Sequence, residues 1–207
     1  SGGIEWNFPD GHTMVTVSPV ASTLRRNPDG SGTAVVGDVD RITGMHWEVA
    51  LTLQPAQARL EQRVSLFNST PLTNPYWFWA TAAVPAREGM QFVYPMREAY
   101  PHTKGVVWSY PIHDGHDWSW DRNVREPTSL FARQSHRNYF GAYYPESDYG
   151  VVHVADFRDV PGKKTWTWGV AGDGLIWTNL LTDNDGPYNE IQAGRYETQL
   201  NYEFMPP

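Results

Sequence analysis

The run His46-Trp47-Glu48-Val49-Ala50-Leu51-Thr52-Leu53 alternates with the period of a pleated strand. Trp47, Val49, Leu51 and Leu53 face one way, and His46, Glu48, Ala50 and Thr52 face the other. After Gln54–Ala58, Leu60, Val64 and Leu66 alternate in the same way with Arg59, Glu61, Arg63 and Ser65. The two runs therefore predict a hairpin. The same reasoning outward along the chain predicts strands at Met14–Val20, Thr33–Val39, Tyr76–Val84, Met90–Tyr94, Tyr139–Tyr144, Gly150–Phe157, Thr165–Val170, Gly174–Leu181, Tyr188–Ala193 and Thr198–Phe204. Asn27-Pro28-Asp29-Gly30, Pro161-Gly162 and Asp185-Gly186-Pro187 carry turn chemistry. No segment keeps a long helical period; Thr128–Gln134 reads as one or two helical turns. Many strands at short spacing predict an all-β sandwich.

The 207 residues suffice for one domain with a substantial core, and no repeat, low-complexity tract or linker divides them. A single domain over residues 1–207, part of a larger protein, is expected. The opening Ser1-Gly2-Gly3 reads as an expression scar or as a cut within a larger protein. A net charge of −7, with Arg25-Arg26 and Lys163-Lys164 as pairs rather than patches, argues against a nucleic-acid partner. The absence of cysteine excludes disulfides, thiolate metal sites and a thiol nucleophile, and leaves the compartment open. No apolar run has the length of a membrane span, and no signal peptide is present in this chain. Motifs for a Gly-x-Ser-x-Gly elbow, a phosphate-binding loop, a dinucleotide fingerprint or a His-Glu-x-x-His zinc site are missing.

Chemistry enters through carboxylates set among aromatic residues. The chain holds 10 Trp and 11 Tyr, whose ring faces stack on sugar C–H surfaces while carboxylates and amides bond the hydroxyls. In Tyr188-Asn189-Glu190-Ile191-Gln192-Ala193, Glu190 shares a strand face with Gln192, and Asp183 or Asp185 precedes them. A carboxylate among inward-packing residues is costly unless it is paired or used. Glu190 therefore reads either as a sugar-hydroxyl reader suited to acid–base work or as a buried partner of Arg195.

Glu5-Trp6-Asn7, followed by Gly11-His12, either lines a cleft or forms a terminal strand and turn. The stretch Pro95–Pro127 is poor in strand signal and long enough to suggest a functional loop. It carries His113-Asp114-Gly115-His116-Asp117-Trp118-Ser119-Trp120-Asp121. The spacing there is weak for a metal, and neither metal nor cofactor is expected. Trp118 and Trp120 require burial or a ligand. Tyr76-Trp77-Phe78-Trp79 alternates, with one face for the core and the other, Trp77 and Trp79, available to floor a cleft. His153 lies on a strand, as a structural histidine or a proton carrier. In Lys164-Thr165-Trp166-Thr167-Trp168 the tryptophans share one face, for which core packing is the default.

Gly-Gly-Ile-Glu-Trp-Asn-Phe-Pro with Gly-His, Tyr-Trp-Phe-Trp-Ala, Val-His-Val-Ala-Asp, Pro-Gly-Lys-Lys-Thr-Trp-Thr-Trp-Gly and Glu-Ile-Gln-Ala-Gly follow in order over nearly the whole chain. Together they resemble a bacterial domain of unknown function that often precedes tetratricopeptide repeats and is similar to the galactose mutarotase-like group. The resemblance implies a large twisted antiparallel β-sandwich with a sugar cleft on a concave sheet, and first strands that lie before Gly2. It implies a late catalytic Glu at Glu190 and an early His at His12. The group's acid His, in a His-x-Tyr-Phe segment, corresponds to Asn74 of Asn74-Pro75-Tyr76-Trp77, and Asn gives up no proton. With mutarotation disfavoured on that ground, His153 and His12 are the candidate substitutes.

The expected function is a carbohydrate-active domain acting at an anomeric centre, with glycoside cleavage as its reaction. Glu190 is expected as acid or base, Glu5 or Asp117 as the second carboxylate, and Trp6, Asn7, Trp77, Trp79, Trp118, Trp120 and Gln192 as sugar contacts. Two alternatives stand beside it. One is a non-catalytic sugar-binding module. The other is a structural domain that docks tetratricopeptide repeats or its own missing N-terminal segment.

Overall fold

A computed structural model describes residues 3–103, 105–182 and 185–207, with the side chains of residues 14 and 15 left aside. Asp183, one of the two carboxylates expected ahead of the Glu190 strand, lies outside the described residues, as do Ser1 and Gly2. The backbone divides into two compact units: Ser1–Trp6 with Trp79–Asn201, and Asn7–Phe78 with Tyr202–Pro207.

The first unit is built on a seven-stranded sheet. Its order is Ile4–Asn7, Trp79–Pro85, Tyr188–Gly194, Gly162–Thr167, Thr128–Ala132, Glu98–Pro101 and Trp108–Ser109. From Trp79–Pro85 onward every ladder is antiparallel. A three-stranded sheet, Gln91–Val93, Tyr139–Tyr144 and Tyr149–Val154, forms a second layer. Between the layers lies one cluster of buried side chains that includes Val84, Leu130, Ile191 and Ala193 from the large sheet and Phe92, Phe140 and Tyr144 from the small one. The burial of that cluster removes apolar surface from water and holds the sandwich together.

The second unit carries a four-stranded meander, Ala21–Arg26, Gly32–Val39, His46–Leu53 and Leu60–Phe67. The expected hairpin is present, with Leu53 opposite Leu60, Val49 opposite Val64 and Trp47 opposite Leu66. Asn27–Gly30 makes its turn with Gly30 at φ +85°, a conformation that glycine adopts without a Cβ penalty. Asn74–Tyr76 pairs with Glu203–Met205, and Phe8, Met45 and Tyr76 form this unit's buried cluster.

Five predicted elements differ from the sequence reading. Gly174–Leu181 falls within an α-helix, α1 (Asp173–Leu181), not a strand. Its run of Leu175, Ile176, Trp177, Leu180 and Leu181 is apolar under either period, and short apolar runs do not separate the two. Thr128–Ala132 is a strand between two others rather than helical turns. Tyr76–Val84 is two strands in different sheets, broken at Trp77-Phe78. Met14–Val17 is a 3-10 turn, and Thr198–Phe204 narrows to Glu203–Met205.

One contact fixes the central strands. Trp79 is fully buried and its ring lies against the backbone of Gly194, directly opposite it in the ladder. A Cβ built on Gly194 would meet the ring at 2.2 Å, and one on Gly162 would meet the Tyr196 carbonyl oxygen at 2.1 Å. Both positions need glycine for space. Gly194→Ala is expected to destabilise the first unit by about 3 kcal/mol, at the upper end of overpacking costs. Urea unfolding followed by tryptophan fluorescence measures this, and an unchanged midpoint would refute the packing argument.

Candidate functional site

Period-two alternation gives the Tyr188–Gly194 strand two unlike faces. Asn189, Ile191 and Ala193 are buried on the core side. Tyr188, Glu190 and Gln192 share the other, where Trp166 lies directly opposite Glu190, and Lys164 opposite Gln192. One strand further on, Phe131 lies opposite Lys164.

These side chains form a hydrogen-bonded relay. The Lys164 Nζ donates to Gln199 Oε1 at 3.0 Å, the Gln199 amide N–H to Gln192 Oε1 at 3.3 Å, and the Gln192 N–H to Glu190 Oε2 at 2.7 Å. Each amide turns its oxygen toward the ammonium and its N–H toward the carboxylate, so every bond has the same polarity and reinforces the next. Lys164 is only 5% exposed, and its ammonium lies 5.2 Å from the Phe131 ring centre and 5.9 Å from that of Trp166. Burial pulls its pKa down to about 8, against the opposing pull of Glu190.

Aromatic rings extend the face. Trp166 and Trp168 meet edge to face at 5.5 Å, and Trp168 meets Tyr188 in the same way at 6.0 Å. Burial, then the negative charges of Glu190 and Glu5, raise the Tyr188 phenol above its usual pKa. Two carboxylates thus act on one tyrosine. The arrangement offers hydroxyl-bonding groups beside ring faces and a cation beside an anion.

Of the residues singled out from sequence, the face gathers Glu190 and Gln192, with Glu5 felt at Tyr188. Arg195 donates to the Asp159 carbonyl. Trp79 belongs to this face but is sealed, packed edge-on to Phe131, so it supports the site without an exposed surface. Trp6 sits in the same unit, half-buried on the edge strand. The Pro95–Pro127 stretch is more ordered than expected and carries four short strands. In it, Asp117 Oδ1 accepts from the Ser119 N–H and hydroxyl, the bonding of a turn. Trp118 is half-buried, packed on Trp108 at 4.7 Å and against the core. Trp120 lies under the Arg122 guanidinium.

His153 belongs to the small sheet, tilted against Phe140 at 4.8 Å. Burial, with a smaller push from Lys163, lowers its pKa to about 4, so at neutral pH it has no proton to give. Asn7, His12 and Trp77 fall in the second unit. There Asn7 is buried and its Oδ1 accepts the His12 N–H at 3.0 Å, while Trp77 is 6% exposed and packs on Gly11. Asn74 donates to Thr70 Oγ1 at 2.8 Å, holding a loop. Among the described residues no three His, Asp or Glu side chains gather as a metal would require, and no helix is long and apolar enough to cross a membrane.

Lys164, Trp166, Trp168 and Gln199 are the site residues that sequence reasoning passed over. For the first three the signal was present, since one lysine alternates with two tryptophans. Gln199 reaches the face from outside any strand and leaves no periodic trace.

The structure defined so far is an antiparallel sandwich with a polar and aromatic face on its larger sheet, and known proteins share its fold. Over its whole length the chain is 30% identical to a tetratricopeptide-repeat-containing protein from Parabacteroides distasonis ATCC 8503, with a TM-score of 0.87, and spans 35% of that protein's chain. It is 13% identical to a proposed aldose 1-epimerase from Klebsiella pneumoniae subsp. pneumoniae MGH 78578, with a TM-score of 0.63, 95% of this chain covered and 53% of the other. It is also 13% identical to the Slr1438 protein of Synechocystis sp. PCC 6803, with a TM-score of 0.68, all of this chain covered and 74% of the other. The fold is therefore the galactose mutarotase-like β-sandwich. The chain belongs to the family described as Domain of unknown function (DUF5107), whose profile matches residues 1–204.

Burial of Lys164 has a measurable consequence. Its folded pKa, about 8, lies below the ordinary lysine value of 10.5, so between them the unfolded chain binds more protons than the folded one. This contribution is destabilising below about pH 8 and is relieved as pH rises toward 10.5. Lys164→Met is expected to raise stability at pH 7 by about 2–3 kcal/mol, and to flatten the pH dependence between 8 and 10.5. Urea titrations across that range test it. A variant less stable than the parent at pH 7 would show that the relay outweighs the desolvation cost.

Proposed function

We propose that the Glu190 face of the seven-stranded sheet binds a carbohydrate and that Glu190 acts as acid or base at its anomeric centre. The observation that carries this reading is a carboxylate held by a neighbouring amide on one strand face, with Trp166, Trp168 and Tyr188 beside it. Sugars need that combination: rings for the C–H surface, and carboxylate and amide for the hydroxyls. The fold shared with a proposed aldose 1-epimerase supports a sugar as the ligand.

The reaction follows from which groups carry protons. Asn74 stands where the mutarotase-like pattern has an acid, and its amide is spent on Thr70, which favours glycoside cleavage over mutarotation. Cleavage needs a second carboxylate roughly 5–10 Å from the first. Glu5 is that candidate, because it and Glu190 both act on Tyr188. Asp117 is already committed to its turn. The repeats named for the Parabacteroides protein favour tetratricopeptide repeats as neighbours of this domain in a longer chain.

Glu190→Gln tests the assignment, since it keeps hydrogen-bonding capacity and removes the proton carrier. Sugar affinity, read by calorimetry across a panel of oligosaccharides, should change little, whereas turnover should fall by about 10²–10⁴-fold. Undiminished turnover would remove Glu190 from the chemistry. Binding without turnover in the parent protein would make the domain a sugar-binding module.

A further inference from the structure

The first unit holds a second concavity that neither Glu190 nor Gln192 lines. It measures about 410 Å³, and its walls include Asp121, Glu88, Arg87, Arg122, Trp168 and Tyr188. That volume admits a ligand of sugar size. One wall is fixed by close packing: Gly174 of α1 sits so near the Trp168 carbonyl oxygen that a Cβ there would lie 1.9 Å from it.

The groups around the cavity are unlike in charge and depth. Asp121, 4% exposed, opens the 3-10 turn Asp121–Asn123. Its Oδ1 accepts the Asn189 amide N–H at 2.7 Å, and its Oδ2 takes no hydrogen bond from the described residues. Burial holds the carboxyl above the usual range, against the opposing effect of Asn189. A carboxylate oxygen bordering a ligand-sized cavity can accept a hydrogen bond from a ligand hydroxyl. Nearer the surface, Arg122 stacks on Trp120 at 4.5 Å and Arg87 lies 5.7 Å from the Tyr144 ring centre. Stacking restrains both guanidinium groups and leaves their N–H edges to act as forks for an anion.

We propose that this cavity binds a sugar unit bearing a carboxylate, of the uronic-acid type. Arg87 and Arg122 take the carboxylate, Asp121 Oδ2 accepts from ring hydroxyls, and Trp168 supplies a surface for the C–H face. Tyr188 and Trp168 belong both to this cavity and to the Glu190 face, so the acidic unit lies next to the sugar at Glu190 in one oligosaccharide. The inference rests on the carbohydrate reading of that face and names its substrate class.

Calorimetric titration with glucuronate and galacturonate, each against its neutral parent sugar, tests the proposal. The parent protein should bind the uronates at least about tenfold more tightly than the neutral sugars. In the Arg87→Ala/Arg122→Ala double variant that ratio should fall to about one, whereas in Glu190→Ala uronate affinity should persist, because Glu190 does not line the cavity. Asp121→Asn, which keeps an acceptor for the Asn189 amide, should weaken uronate binding by about tenfold. Circular dichroism confirms that each variant folds. No uronate preference in the parent, a preference that survives loss of both arginines, or unchanged affinity in Asp121→Asn each overturns the proposal. If neutral sugars bind through Glu190 without that preference, this inference alone fails. If the parent protein binds no sugar, the carbohydrate reading fails with it.

Discussion

The pleat of the Tyr188–Gly194 strand keeps apart two sets of side chains that could not share a surface. Ile191 and Ala193 pack into the inter-sheet core, while Glu190 and Gln192 on the opposite face enter a polar relay. A slip of one residue would drive the carboxylate into the core and the isoleucine into the relay. Register is held by hydrogen-bonded partners on both sides and by the Trp79 ring seated on Gly194. No bulkier residue at position 194 leaves room for that ring. The front face of the sheet is therefore as tightly specified as its core, although its chemistry is polar.

The relay illustrates how a buried charge can be accommodated without a direct ion pair. Lys164 reaches Glu190 through two amides, and each amide has its donor and acceptor fixed by the charge at its end. Desolvation still costs more than the relay returns, as the downward displacement of the Lys164 pKa indicates. Lys163, the adjacent residue, is buried on the opposite face and bonds the Ser135 carbonyl at 2.9 Å. Two consecutive lysines thus enter opposite faces of one strand. A protein selected for stability alone would place apolar side chains at both positions, and sites that hold a costly polar group are where function is to be sought.

Most strands were legible because their alternation is local. The hairpin at His46–Leu53 and Leu60–Phe67 and the Glu190 strand needed nothing beyond the period of two. α1 was misread because its apolar run satisfies either period, and the glycines that set its start, Gly172 and Gly174, also fit a strand boundary. Within the site, Glu190 and Gln192 were legible by parity. Lys164 shares that parity with Trp166 and Trp168, but a strand lysine is ordinarily solvent-facing, and that prior hid it. The Asp121–Asn189 pair joins residues 68 apart in sequence, a contact no local pattern carries.

The fold places few limits on chemistry, and the site must supply them. The titratable groups on the Glu190 face include Glu190, Lys164 and Tyr188, with Glu5 acting on Tyr188 and with His102 beside Lys164, its ring 5.3 Å from that of Phe131. His153, in the small sheet, stays neutral through the physiological range. On the proposed reading, proton transfer centres on Glu190, with the lysine contributing a positive charge to the face. Lys164 is largely enclosed by Phe131, Trp166 and Gln199, and its charge acts on Glu190 through space and through the relay. A cation held there offsets the negative charge that Glu190 brings to the face. Glu190 is thus tied, through Gln192 and Gln199, to a lysine one strand away, and the polar face is organised around that single connected pair of charges.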